Sequence, residues 1–322
     1  FGTSAVTLDL AEGGTYIFNY PAAHPFRFST TADGTHGGGT EYTTGVTVLS
    51  STSIQIVVAA SAPQLHYFCN QHSGMGGAIN TNSTLGSSNF DGTIQTTVKA
   101  NTTAGFSIIT YTGNGSSGAT IGHGLGVTPN HVIWKERSGA ENWINWQTQL
   151  ADNALLLNLT NAQISASGNA LFIYGDFNST SLKLGNADQT NRNGDTYVTY
   201  CFSEVAGYSK FGKYTGNGNS DGTFVHTSFK PAVIILKNTS TAEDWAIRDI
   251  KHSGYTTMNG NPVNIGLRPN TNAGYTGGSN LGMDFLSNGF KLRGPDNDVN
   301  KSGDTYIYLA FASSPFKNAR AR

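Results

Sequence analysis

Apolar residues in this chain come in short runs rich in β-branched and aromatic side chains, each closed off by Gly, Asn, Asp or Pro. Val132-Ile-Trp134, Ala170-Leu-Phe-Ile-Tyr174, Tyr197-Val-Thr-Tyr200 and Ala232-Val-Ile-Ile-Leu236 show the pattern. Such side chains fit a pleated surface and the punctuating residues supply tight turns, so the runs predict strands. Helical spacing of apolar residues is hard to sustain anywhere, and abundant Gly, Ser, Thr and Asn would weaken any helix. The chain reads as all-β. Tyr197, Thr199 and Cys201 alternate with Val198, Tyr200 and Phe202, so this strand is expected to bury one face and cover the other with a neighbouring domain or subunit. Cys201 is expected to be a small core side chain.

The runs are organised by an internal repeat. Tyr111-Thr-Gly-Asn-Gly115 recurs as Tyr214-Thr-Gly-Asn-Gly218, Trp143 matches Trp245, and Gly194-Asp-Thr-Tyr197 matches Gly303-Asp-Thr-Tyr306, at offsets of 103, 102 and 109 residues. Lys135 likewise matches Lys237. A period near 100 residues is too long for a solenoid or a propeller blade, so each copy is a small domain or half of one larger sandwich. The polar stretch Asn80 to Ser88 reads as a linker. The expected organisation is an N-terminal domain over 1–80, a linker and first strand over 81–103, and repeat units over 104–208 and 209–322.

Composition narrows the function. Among 322 residues there are 40 Gly and only 12% charged side chains, unlike a typical cytosolic enzyme. With 19 basic against 20 acidic side chains, nothing suggests binding to nucleic acid or an anionic membrane. No apolar run is long enough to span a bilayer as a helix, so membrane insertion is not expected. Phosphate-cradle, zinc-protease and serine-hydrolase motifs are absent from the sequence. Asp176, Asp195, Asp304, Glu141, Glu243 and Asp244 could pair as a glycosidase acid and base, but Asp195 and Asp304 occupy equivalent turns and read as turn caps. The chain is not expected to be an enzyme. Trp143, Trp146, Trp245, Tyr255 and Tyr275 are candidate sugar-stacking rings, with Trp143 and Trp245 the leading glycan contacts, although their match across the repeats equally suits a core or domain-contact role.

The sharpest chemistry lies in Leu65-His-Tyr-Phe-Cys-Asn-Gln-His-Ser-Gly-Met75. Cys69, His72 and Met75 follow a C-x-x-H-x-x-M spacing, suited to a strand end and tight loop that curl thiolate, imidazole and thioether around one point. Two His and one Cys with a weak axial Met form the blue-copper set, and His24, on an upstream predicted strand, is the best second imidazole. His36 and His66 read as surface or loop residues. With these residues, the region from about 5 to 80 resembles the cupredoxins, Greek-key β-sandwich proteins. The resemblance is carried by Tyr16-Ile-Phe18, His24 and the Cys69, His72, Met75 loop, whose spacing is similar to the short amicyanin type. It implies copper as cofactor, held by His24, Cys69, His72 and Met75, and single-electron exchange. The Gly-rich segment Thr30 to Thr44 departs from the family pattern, as does Ala23 before His24.

The remainder, from about Ala100, resembles a domain of unknown function found in structural proteins of marine tailed phages. The matching residues are Ala104 to Gly115, Gly122 to Gly126 with Pro129 and Lys135, Gly207 to Gly218, and Ala310 to Lys317. The resemblance implies a virion surface location in a tail fibre, spike or other appendage. It also implies homo-oligomerisation, other virion proteins as partners and contact with a host-surface glycan or receptor. A secreted copper electron carrier and a glycan-binding β-sandwich are the alternatives.

Overall fold

The computed structural model describes residues 5–81, 86–252 and 261–314. Among the described residues, two helices of one turn each, Asp188–Asn191 and Asn297–Asn300, and short 3-10 turns interrupt an otherwise all-β chain. The chain divides into two compact units, one of residues 1–90 with 95–99 and one of residues 91–94 with 100–322.

In the first unit, two sheets face each other. One holds Leu8–Asp9, Gly76–Asn80, Leu65–Cys69 and Phe26–Ser29 in that order, with Leu8–Asp9 parallel to Gly76–Asn80 and the other neighbours antiparallel. The other holds Thr15–Asn19, Ser53–Val57 and Val46–Ser50, all antiparallel. The sequence alternates as a half-buried strand must, so Ile54 and Ile56 from one sheet meet Phe28, Leu65, Tyr67 and Ile79 from the other in a single core. Phe26 stacks between Phe18 at 4.7 Å and Tyr67 at 5.1 Å.

The expected linker over 80–88 needs correction at its ends, while residues 82–85 of it lie outside the described residues. Ser87–Asn89 is a strand, paired with Thr96, Thr97 and Val98. Its side chains are polar because hydroxyls supply the contacts: Asp9 N–H donates to Ser88 Oγ at 2.7 Å, and Ser87 Oγ lies 2.5 Å from the Tyr16 hydroxyl.

The second unit contains both repeat copies, and their sheets are built alike. Ile144–Gln147, His131–Glu136, Thr196–Phe202 and Phe106–Thr112 lie side by side, as do Ala246–Asp249, Pro231–Asn238, Thr305–Ala312 and Ser209–Thr215. The one-turn helices are also equivalent. Each carries a fully buried asparagine, Asn191 or Asn300, that holds the Tyr-Thr-Gly-Asn-Gly turn. Asn191 Nδ2 donates to the Gly185 and Ser116 carbonyls while its Oδ1 accepts from Asn114 N–H; Asn300 repeats this with Gly294, Asn219 and Asn217. Beside each turn two tyrosines stack at 5.0 Å, Tyr111 on Tyr197 and Tyr214 on Tyr306.

The two copies pack through the sheet faces that each leaves open. His131 stacks on Phe211 at 5.7 Å, Phe202 packs on Phe211 and Phe311, and Gln147 Nε2 donates to the Tyr308 carbonyl at 2.8 Å. Lys237, fully buried, donates to the Thr160 carbonyl at 3.2 Å. The alternation over Thr196–Phe202 anticipates this arrangement, with Tyr197, Thr199 and Cys201 buried in the first copy's own core. Burial pushes the Cys201 thiol well above its ordinary pKa, leaving it an inert core group.

Candidate metal centre

The first unit's sheet delivers three ligand side chains to one point. Cys69 ends the strand Leu65–Cys69 and sits opposite Phe26 in register. His24 stands not on the strand expected for it but in the turn before Phe26–Ser29, closed by its own N–H on the Pro21 carbonyl, which places its imidazole beside the thiol. The chain leaving Cys69 turns back at once, Cys69 N–H donating to the Met75 carbonyl at 2.9 Å, and His72 stands on that loop. Gly74 supplies the left-handed residue of the reversal at φ +73°.

The resulting geometry is trigonal. Cys69 Sγ lies 3.5 Å from His72 Nδ1 and 3.9 Å from His24 Nδ1, and the two imidazole nitrogens are 3.2 Å apart. Ordinary metal–imidazole bonds are about 2.0 Å. By triangulation, the in-plane point about 2.0 Å from both nitrogens lies about 2.2 Å from the sulfur, close to the roughly 2.3 Å of a metal–thiolate bond. All three ligand atoms therefore fit one small ion. Cys69 is buried, His24 half-buried and His72 exposed. Met75 is fixed at the site by its backbone, and its side chain is 45% exposed.

Two residues that the sequence reading left aside brace this loop. His36, read as a surface residue, is exposed, yet its Nε2 lies 3.1 Å from the Cys69 carbonyl. Asp33 Oδ1 accepts from Gly74 N–H at 3.0 Å. The only available signal was the density of glycine in Thr30 to Thr44, which the fold uses as a strap across Phe68. His66 faces away from Cys69 along its strand, as strand alternation requires.

The glycan candidates fare differently. Trp245 is fully buried, its Nε1 donating to the Leu156 carbonyl at 2.9 Å, so it cannot present a ring to a sugar. It belongs to the contact between repeats. Trp146 is also buried, its Nε1 on the Ala151 carbonyl. Trp143 is half-buried and Tyr275 is 55% exposed, while Tyr255 lies outside the described residues. Trp143 and Trp245 remain equivalent in backbone, each N–H donating to an asparagine side chain, Asn158 or Asn270.

Five of the six candidate carboxylates are engaged, and burial raises the pKa of the sixth, Glu243. Asp176 pairs with Lys183, Glu141 accepts from Gln189, and Asp244 and Asp298 both bind Arg268, at 3.2 and 2.5 Å. Asp304 is more than a turn cap: it accepts from Asn238 Nδ2 and Thr241 Oγ1 on the neighbouring strand and loop, which holds its pKa below the ordinary value. Asp195 pairs with Arg192 at 3.8 Å instead.

Residues 42–315 match the model of a family described as a domain of unknown function, DUF7483. The chain belongs to that family. Its match takes in Cys69, His72, Met75 and both repeats, and begins after His24, Asp33 and His36. No curated protein and no solved structure matches the chain.

Proposed function

We propose that the chain is a non-enzymatic structural protein of a phage virion, exposed on the particle in an appendage, whose first unit is a cupredoxin-type module. In this reading His24, Cys69 and His72 would hold one copper ion, with Met75 as the fourth ligand. The observation that carries the metal assignment is the convergence of two Nδ1 atoms and one Sγ at separations of 3.2 to 3.9 Å. Two imidazoles with one thiolate are the donors that suit copper in both oxidation states. Copper there supplies a one-electron couple. The protein's part is to fix the three donors, bury the sulfur and leave the His72 ring at the surface.

The virion assignment rests on the resemblance of the repeats to phage structural proteins and on a build that suits a durable particle. Each copy locks its turn with a buried asparagine and closes its open sheet face against the other copy. Homo-oligomerisation, contacts with other virion proteins and contact with a host receptor belong to the same proposal. The exposure of His72 favours a second reading, a secreted copper electron carrier, because electrons enter and leave through a ligand edge at the surface. The glycan-binding alternative loses its principal support with the burial of Trp245.

Cu(II) titration of the purified chain beside Cys69→Ser tests the metal assignment. An intense visible thiolate-to-copper band that is absent in Cys69→Ser is expected, and a featureless spectrum overturns it. Mass spectrometry of purified particles tests the virion assignment, which fails if the chain is missing from them. A reversible redox potential with rapid electron exchange in a chain missing from particles would favour the second reading.

A further inference from the structure

The three ligand atoms lie within 4.8 Å of one another, and the loop that carries two of the ligands is also held by side chains outside the ligand set. The strap between strands Phe26–Ser29 and Val46–Ser50 is placed to do this. It is braced internally: Gly39 N–H donates to the Gly34 carbonyl at 2.9 Å, Ser29 Oγ to the Thr40 carbonyl at 2.7 Å, and Tyr42 N–H to the Phe28 carbonyl at 2.7 Å. Gly34, at φ +51°, lies flat on the Phe68 ring, where any Cβ would clash. Phe68 is consequently buried although it points away from the unit's core.

Resting on the metal reading above, we propose that Asp33 and His36 are positioning residues for the copper ligands, clamping the Cys69–Met75 loop at its two ends. A carbonyl oxygen can only accept, so His36 donates from Nε2–H to the Cys69 carbonyl. This fixes the peptide that follows the sulfur ligand. Asp33 holds the amide of Gly74, the residue before Met75. Asn70 N–H, on the Pro25 carbonyl at 2.9 Å, ties the same loop to the segment that carries His24. The strap thus fixes the spacing of Cys69, His72 and Met75 from outside the ligand set, as outer-shell partners orient metal ligands elsewhere. The Asp33 bond is exposed and the His36 bond half-buried, and neither involves the unit's core cluster, so removing them spares the apolar packing that holds the unit together.

The test uses the full chain and Cu(II) alone. Affinity is measured by competition with a chelator, and the visible and electron paramagnetic resonance spectra are recorded for wild type, Asp33→Ala, His36→Leu and the double variant. Asp33→Asn keeps the acceptor and His36→Gln keeps an amide donor, and these serve as rescues. The double variant is expected to bind copper about 10- to 100-fold more weakly, with a shifted, broadened charge-transfer band and an unchanged melting curve without metal. The conservative variants should lie near wild type. An intense wild-type band with identical affinity and spectrum in the double variant overturns the positioning role while leaving the metal site standing. If wild type gives no band, the metal reading fails and this role falls with it. If the double variant does not fold, each single variant compared with its rescue decides the matter.

Discussion

Asn300 offers the clearest quantitative test of the repeat architecture. Its side chain is fully buried, and replacing it with alanine removes four hydrogen bonds at once. The bond to the Gly294 carbonyl is itself buried, so that acceptor loses its donor where water does not reach, at a cost of about 1–3 kcal/mol. The bonds to Asn217 and Asn219 lie nearer solvent and are worth about 1 kcal/mol each or less after water replaces them. Asn300→Ala should therefore cost about 3–4 kcal/mol, a fall in melting temperature of roughly 6–16 °C for a unit of this size. Asn300→Asp should cost more at neutral pH, because a carboxylate would turn acceptor oxygens toward the Gly294 and Asn219 carbonyls. All four tryptophans lie in the second unit, so urea unfolding followed by tryptophan fluorescence reports on that unit selectively. A loss below about 1 kcal/mol for the alanine variant, or an aspartate variant as stable as wild type, would refute the claim that this asparagine locks the turn. Asn191→Ala, the equivalent change in the first copy, should behave alike.

Burial drops His131 from 6.5 to about 3, so on acidification the unfolded chain takes up that proton first. Its contribution to stability should fall by about 1.4 kcal/mol per pH unit from about pH 6.5 toward 3. Urea midpoints at pH 7 and 5 should show a shallower slope in His131→Val, the residue found at the equivalent Val233; an unchanged slope would show that His131 is not held neutral. Lys237, lowered by burial from 10.5 to about 8, loses its proton first in the folded state, so its contribution rises between about pH 8 and 10.5. Lys237→Met should abolish that rise, and its persistence would assign it to another group. Trp245→Ala should cost about 3–5 kcal/mol in the same fluorescence-monitored unfolding, by opening a cavity between the repeats and leaving the Leu156 carbonyl without its donor. A near-neutral effect would contradict the packing of the two copies.

Patterns with strong periodicity were legible in the sequence, and contacts made by single polar side chains were not. The alternation over Thr196–Phe202 announced a strand with two covered faces, and the repeat announced a duplicated sheet. What covers the second face is the other copy, and no periodicity names a partner. Asn191 and Asn300 stand three residues before the matched Gly-Asp-Thr-Tyr segments at the same offset of 109 residues, so extending that alignment by a few positions would have paired them. Their role was hidden because an asparagine among many looks like a turn residue. Trp143 and Trp245 illustrate the limit of a repeat. They share a backbone position and an asparagine acceptor, yet only Trp245 is swallowed by the contact between copies. Ser87–Asn89 escaped notice because hydroxyl bonds, not apolar alternation, stabilise it.

The candidate metal centre was legible in its ligands and illegible in its support, and the division has a physical origin. Ligand chemistry is restricted to a few residue types, so Cys69, His72 and His24 stand out at a distance in sequence. A brace needs only one donor or acceptor in the right place, and many residues meet that need. The fold around the site carries a further consequence. The core of the first unit closes through Phe28, Ile54, Ile56, Leu65, Tyr67 and Ile79 without using any ligand. A metal bound here would therefore not supply the folding free energy in the manner of a zinc finger, where ligands are gathered only when the ion arrives. It would add stability through mass action on an already folded module. On the proposed copper reading, a site framed by a core independent of its ligands would keep one geometry while the charge on its ion changed, which is the requirement of a redox centre more than of a structural staple.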